Sequence, residues 1–157
     1  MPNPDPVPHR LRPGVHVVVP SSEQDFGAYY HLRWKILRRP WGQPRGSERD
    51  DSDANSIHLM ARAPEGSALG VARLHFIAPG EAQLRYMAVE ETHRGRGIGT
   101  LLLNAVENRA RAAGARSLVL DARESAAGFY RRHGYQDAGP AHTLFGTIHH
   151  VRMRKRL

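Results

Sequence analysis

The sequence predicts one mixed α/β domain built around a central sheet, on three observations. Apolar periodicity alternates along the chain between the helical and the strand spacing. Hairpin-like segments lie in the middle, and a strand, glycine turn, helix, strand unit follows them. At 157 residues the chain can bury about two-thirds of its unfolded surface without disulfides or structural metal, enough to hold a pocket.

Prolines alternate through MPNPDPVPHRLRP, so residues 1–13 are expected to form a flexible tail and residues 14–157 the single domain. HVVVP, at 16–20, reads as a short β-branched strand. Ser21 or Ser22 can cap a helix running through about Leu37, with Phe26, Tyr29, Tyr30, Ile36 and Leu37 on its apolar side, and Pro40 stops it. Residues 38–55 form a long polar loop, a length found in lids and binding loops as well as in disordered segments. Three strands follow at 56–63, 68–78 and 81–89, expected to pair antiparallel. The helix starting near Gly97 lines up Ile98, Leu101, Leu102, Ala105, Val106, Arg109, Ala110 and Ala113, and Gly114 ends it. ARSLVLDA, at 115–122, is apolar enough for burial on both faces and for parallel pairing to the strand before the helix. A short helix at 125–134 and a final long strand at 142–155 complete the order β-α-β-β-β-α-β-α-β.

Composition narrows the function. Cysteine is absent, which removes disulfides, thiolate metal sites and a cysteine nucleophile. No apolar run approaches the ~18 residues of a membrane span, and the amino-terminal segment lacks a secretory apolar core, so a cytoplasmic location is expected. The formal net charge is +8, which suits a nucleic acid, an anionic small molecule or simple solubility. Ten histidines show no H-E-x-x-H or similar ligand spacing, and no metal site is read.

The densest signal is VEETHRGRGIGTLLL at 89–103. A helix start presents unpaired amides and the positive end of the macrodipole, both suited to an anion. Gly95, Gly97 and Gly99 permit a tight turn and close approach, and Arg94 and Arg96 add guanidinium charge, which together predict a pyrophosphate site. The phosphate loop of nucleoside triphosphatases is excluded, since no lysine occupies its place. A dinucleotide fingerprint is a poor match, because Thr100 stands where its third glycine belongs, although Asp121 superficially resembles a ribose-binding acid.

Arg94-Gly95-Arg96-Gly97-Ile98-Gly99 resembles the [RQ]-x-x-G-x-[GA] loop of the GNAT superfamily of acyl-CoA-dependent N-acetyltransferases, and Met87-Ala88-Val89 resembles the end of that family's fourth strand. Phe129-Tyr130-Arg131-Arg132-His133-Gly134-Tyr135 is similar to the family's second motif, and the resemblance covers about residues 15–155. It implies acetyl-CoA as co-substrate, a bulge near Met87 to Val89, and a sheet splayed between the fourth and fifth strands to admit pantetheine. Met87, Ala88 and Val89 would contact the cofactor by backbone, Arg94 through Thr100 (with Ile98) would hold the pyrophosphate, and Phe129 would lie alongside. The family's frequent asparagine falls at Arg123, which is assigned to the cofactor in its place.

The resemblance also implies roles in catalysis. Acetyl transfer to nitrogen needs an uncharged amine, a held oxyanion and a protonated leaving thiol. The Val89 amide corresponds to the oxyanion donor and Tyr130 to the general acid; the phenol is otherwise read as core packing. His58 and His150 are the candidate bases, because histidine titrates near neutrality and LFG-x-I-x-H around His150 resembles a bacterial subgroup. His149 falls on the opposite face of its strand from His150, and Glu81, Glu90 and Glu91 are alternatives.

The reading is an N-acetyltransferase acting on a primary amine of a small molecule or peptide, with no membrane or specific nucleic-acid partner and a homodimer left open. The rivals are a basic nucleic-acid-binding module with RMRKRL at 152–157 as its tail, and a coenzyme-binding fold member without transferase activity. The residues do not name the acceptor. ERDDSD at 48–53 offers acids either to a cationic amine or merely to solvent.

Overall fold

The computed structural model describes residues 11–157; most of the expected tail, residues 1–10, lies outside the described residues. After β1 (His16–Val18), the Ser22 hydroxyl accepts the Asp25 amide at 3.0 Å and starts α1 (Glu23–Leu37). An N-cap oxygen of this kind satisfies an amide that the helix itself leaves unpaired. The chain continues through β2 (Ile57–Arg62), β3 (Ala68–Ala78), β4 (Glu81–Val89), α2 (Ile98–Ala112), β5 (Ser117–Arg123), α3 (Glu124–Arg132), β6 (Gln136–Leu144) and β7 (Ile148–Arg156).

The seven strands form one sheet in the order β1-β2-β3-β4-β5-β7-β6. Every neighbouring pair is antiparallel except β4 and β5, which run parallel around α2 as expected for a strand–helix–strand unit. Helix α1 covers one face, with Tyr29 and Leu32 packed near Met60, Val71 and Ala88. On the other face Leu102, Val106 and Ala110 of α2 join Leu59, Ala72, Leu74, Leu118 and Leu120. Gly70 permits the close approach of α2, since a Cβ there would stand 2.9 Å from Ile98 Cγ2. Gly114, at φ 96°, ends α2 in the left-handed region.

The final segment differs from the sequence expectation. Residues 142–155 are not one strand but the end of β6, a turn, and β7, so the observed order has one strand more. Phe145 (φ 52°) and Gly146 (φ 71°) make the turn. Strand β6 is exposed along nearly its whole length and contains Gly139 and Pro140, which an edge strand tolerates. It carries no apolar alternation because neither of its faces is buried.

The long loop is pinned as well. Arg33 and Arg73, both 0% exposed, reach into it: Arg33 donates to Asp53 at 2.8 Å and to the Glu48 carbonyl at 3.2 Å, and Arg73 donates to Asp50 at 2.5 Å and Asp53 at 3.1 Å. Three of the four acids of 48–53 are thus accounted for within the protein: Glu48 is buried, and Asp50 and Asp53 are the counterions of buried arginines, while Asp51 is exposed to solvent.

Candidate active site

Strands β4 and β5 pair only over Glu81–Leu84 and Ser117–Leu120. Beyond that point β4 continues to Val89 and β5 to Arg123 without a shared register, so the sheet opens into a wedge. The cause lies in β4. Arg85 pairs with Arg73 and Ala88 with Val71, leaving Tyr86 and Met87 opposite Ala72 alone. This bulge bends the strand away from its parallel neighbour. It begins at Tyr86, one residue before the expected span, and Tyr86 sits at φ 53°.

A cavity of about 790 Å³ fills the wedge. Its floor is Leu84, Met87, Ala88 and Val89 on one side and Leu120, Asp121 and Ala122 on the other. At one end stands the arginine–glycine turn. Gly95 (φ 73°) and Gly97 (φ 84°) occupy the left-handed region, and Gly97 caps α2 without any side-chain cap, so no side chain takes the place of an anion at that helix start. Gly99 has a different reason: a Cβ there would meet Phe129 Cζ at 3.2 Å, so its bareness seats α3 against α2. Thr100 pairs its hydroxyl with His133 Nε2 at 3.1 Å.

Of the residues expected to bind cofactor, Met87, Ala88, Val89, Arg94, Gly95, Gly97, Gly99, Thr100, Arg123 and Phe129 line this cavity. Two do not. Ile98 is 1% exposed and anchors the first turn of α2 in the core, while Arg96 is exposed and absent from the lining.

Tyr130 is buried, its ring edge-on to Phe129 and Tyr135, and its hydroxyl enters the wedge with Met87 Sδ at 3.5 Å as its recorded partner. Burial raises its pKa well above the usual phenol value, so the hydroxyl stays protonated near neutrality.

His150 also lines the cavity, and its Nδ1 lies 3.0 Å from the Ile148 carbonyl. Its ring stacks on that of His142 with centroids 4.4 Å apart, and His142 Nδ1 lies 3.7 Å from Asp121. Burial first, then the neighbouring His142 and Arg123, lowers the His150 pKa. His58 is not brought to this cleft. It sits on β2, across β3 from the bulged strand, with Nδ1 2.8 Å from the Tyr29 hydroxyl and Nε2 2.8 Å from the Asp53 carbonyl, and it borders a second cavity beneath α1. Glu81, Glu90 and Glu91 are absent from the cleft lining too; Glu81 is bound to Arg154 and Glu90 to Lys35. His149 turns outward to Thr143.

Two rings lie beside the lining residues Arg38 and Arg123. Trp41, in a 3-10 turn after α1, stacks on Phe145 of the β6–β7 turn with centroids 6.2 Å apart. Arg123 lies 4.5 Å over Trp41, and Arg38 lies 5.6 Å from both Tyr86 and Phe145.

A family model described as the Acetyltransferase (GNAT) family matches residues 26–135, well over half of the chain. The chain belongs to the GNAT family. It is an acyltransferase, and its co-substrate is an acyl-CoA. The bare amides before α2 and the unpaired flank of β4 are the features that fit that coenzyme. Bacillus subtilis (strain 168) has a relative named "Uncharacterized N-acetyltransferase YjcF", 26% identical over 138 residues, covering 88% of this chain and 97% of that protein. Among solved structures, a Lactobacillus plantarum protein superposes with a TM-score of 0.81 at 23% identity, covering 92% of this chain and 99% of that one. A Bacillus subtilis acetyltransferase in complex with CoA superposes at 0.74 with 18% identity, covering 91% and 99%. These two likenesses show the fold. Among the described residues, no helix is long and apolar enough to cross a membrane.

Sequence reasoning missed His142, Arg38 and Tyr86 of this GNAT site. His142 reaches His150 only because the chain reverses at Phe145–Gly146, and glycine between two polar alternating stretches is the signal that marks such a reversal. Arg38 looked like one charge among many in a polar loop. Nothing in the local sequence distinguishes the left-handed backbone of Tyr86.

Proposed function

We propose that this protein transfers an acetyl group from acetyl-CoA directly to the neutral nitrogen of a primary amine, without an acyl-enzyme. When bound, acetyl-CoA supplies the thioester. Arg94 and the amides from Gly95 to Thr100 bind the diphosphate, with Arg123 and Phe129 beside the pantetheine arm. The Val89 amide donates to the carbonyl oxygen as negative charge gathers on it.

His150 is the base. Its Nδ1–H donates to the Ile148 carbonyl, which puts the accepting lone pair on Nε2, and the lowered pKa keeps the ring neutral and able to accept. As carbon–nitrogen bonding replaces carbon–sulfur bonding, His150 takes the ammonium proton and Tyr130 gives its own to the departing thiolate. Solvent then restores both groups.

The observation that supports this reading is the Tyr130 hydroxyl, set at the opening of the wedge against a thioether, which is a weak acceptor and leaves the proton available. Tyr130→Phe tests it. Turnover, followed by release of free coenzyme thiol, is expected to fall by roughly 100-fold or more, the range for general acid catalysis, while the calorimetric affinity for acetyl-CoA holds. Wild-type turnover in that variant would remove Tyr130 from its role.

A further inference from the structure

The cleft carries far more positive charge than its walls neutralise. Five arginines line it (Arg38, Arg85, Arg94, Arg123 and Arg132) against a single carboxylate, Asp121, which is already held by Arg152 at 2.9 Å. Arg94 and Arg132 belong to the end where the coenzyme's phosphates bind, and Arg85 is within 3.5 Å of Asp50. Arg38 has no such explanation, and Arg123, beside the pantetheine arm, which is uncharged, has no acid of its own. Both are half-buried. Arg38 donates to the carbonyls of Leu37 (2.8 Å) and Ser47 (3.0 Å), and Arg123 lies 4.5 Å from the centre of the Trp41 ring. Among the described residues neither forms an ion pair.

Two guanidinium groups partly withdrawn from water without a counterion are costly, and the cost is recovered when a ligand supplies the anion. Their position says which ligand. Arg38 caps the carboxyl end of α1 beside Tyr86 of the bulge, and the two arginines flank the Trp41–Phe145 stack. Arg123 is the register partner of His150, so an anion held there lies beside the base. Of the loop acids that could have drawn a polyamine, Asp50 and Asp53 are committed to Arg33 and Arg73, and Asp51 is exposed and does not line this cleft.

From this we infer that the acceptor is an amine bearing its own carboxylate, an amino acid or a close analogue, with Arg38 and Arg123 holding the carboxylate while the amino group faces His150. The inference rests on the acetyl-transfer reading above and adds the substrate class. A guanidinium fork matches a carboxylate in shape as well as charge.

Matched pairs test it: glycine, β-alanine and lysine beside their carboxamides, together with spermidine, assayed by acetyl-CoA-dependent thiol release. The free acid of each pair is expected to have the higher kcat/KM by about tenfold or more, the scale of one charge-assisted contact. Arg38→Gln should raise KM for the acids by a similar factor, leave KM for the carboxamides unchanged, and leave calorimetric acetyl-CoA binding unchanged, which also shows that the variant is folded. Arg123→Gln should erode the same preference. If carboxamides or spermidine react as well as the acids, or Arg38→Gln leaves KM for the acids alone, the substrate class is wrong and acetyl transfer still stands. If no amine releases thiol although acetyl-CoA binds, the transfer reading fails and takes this inference with it.

Discussion

Tyr86, at φ 53° in the bulge of β4, donates its hydroxyl to Asp50 Oδ2 at 3.2 Å. A non-glycine residue in the left-handed region is strained and persists only where its surroundings hold it. Here the holding is cationic: Arg33, Arg73 and Arg85 lie 4.4, 4.8 and 5.0 Å from the Tyr86 ring, and Asp50 neutralises Arg73. The long loop, although distant in sequence, thus fixes the shape of the coenzyme wedge. Asp50→Ala is expected to lower stability in urea by about 2 kcal/mol, below the ~3–5 kcal/mol of a fully buried pair because Asp50 is partly exposed. It should also raise KM for acetyl-CoA. An unaltered KM would show that the bulge holds without the loop.

Gly97→Glu should abolish acetyl-CoA binding in calorimetry, with Gly97→Ala as the control. Both variants carry the backbone strain of a side chain at φ 84°, on the order of 1 kcal/mol, but only glutamate sets a negative charge against the diphosphate. The alanine variant is therefore expected to lose stability and keep measurable affinity. Equal binding by both would place the phosphates elsewhere.

The pH profile should report His150. Its pKa is depressed, so kcat/KM is expected to rise with pH through a value below the ordinary 6.5 and then level off. His150→Gln should remove that ascending limb and lower the plateau. His142→Gln should keep the limb and move it upward, since the stacked imidazole helps to depress His150. A limb that survives in His150→Gln assigns the base to another group.

His58 should reveal itself in stability. Burial is the main cause of its lowered pKa, so below about 6.5 the unfolded chain binds a proton that the folded one refuses. Stability is then complete above that pH and declines as pH falls toward the lower folded value. Urea midpoints near pH 7.5 and pH 5.5 should differ more for the wild type than for His58→Gln, with His58 leaving the pH dependence of turnover untouched.

The sequence made the parallel unit around α2 legible, because Gly97, Gly114 and the apolar spacing between them are local signals that burial on both faces of β5 reinforces. It left β6 unread, since an edge strand with Gly139 and Pro140 has no buried face to impose a pattern. The arginine–glycine end of the cleft was legible for the same reason as α2: its glycines and arginines are contiguous. The rest of the lining was less so, because Arg38, Arg123 and His142 come from three separate elements and come together only through the sheet order.

Strands β4 and β5 share only four residue pairs, although both run several residues further. A sheet interrupted in this way leaves strand edges without partners, and a pantetheine arm bound as proposed, with its two amides, would act as the missing rungs. The coenzyme would in that sense be a structural strand as well as a reagent. The amide hydrogens of 85–89 and 121–123 that face the wedge, rather than β3 or β7, should therefore exchange quickly in the free protein and slow when CoA is added.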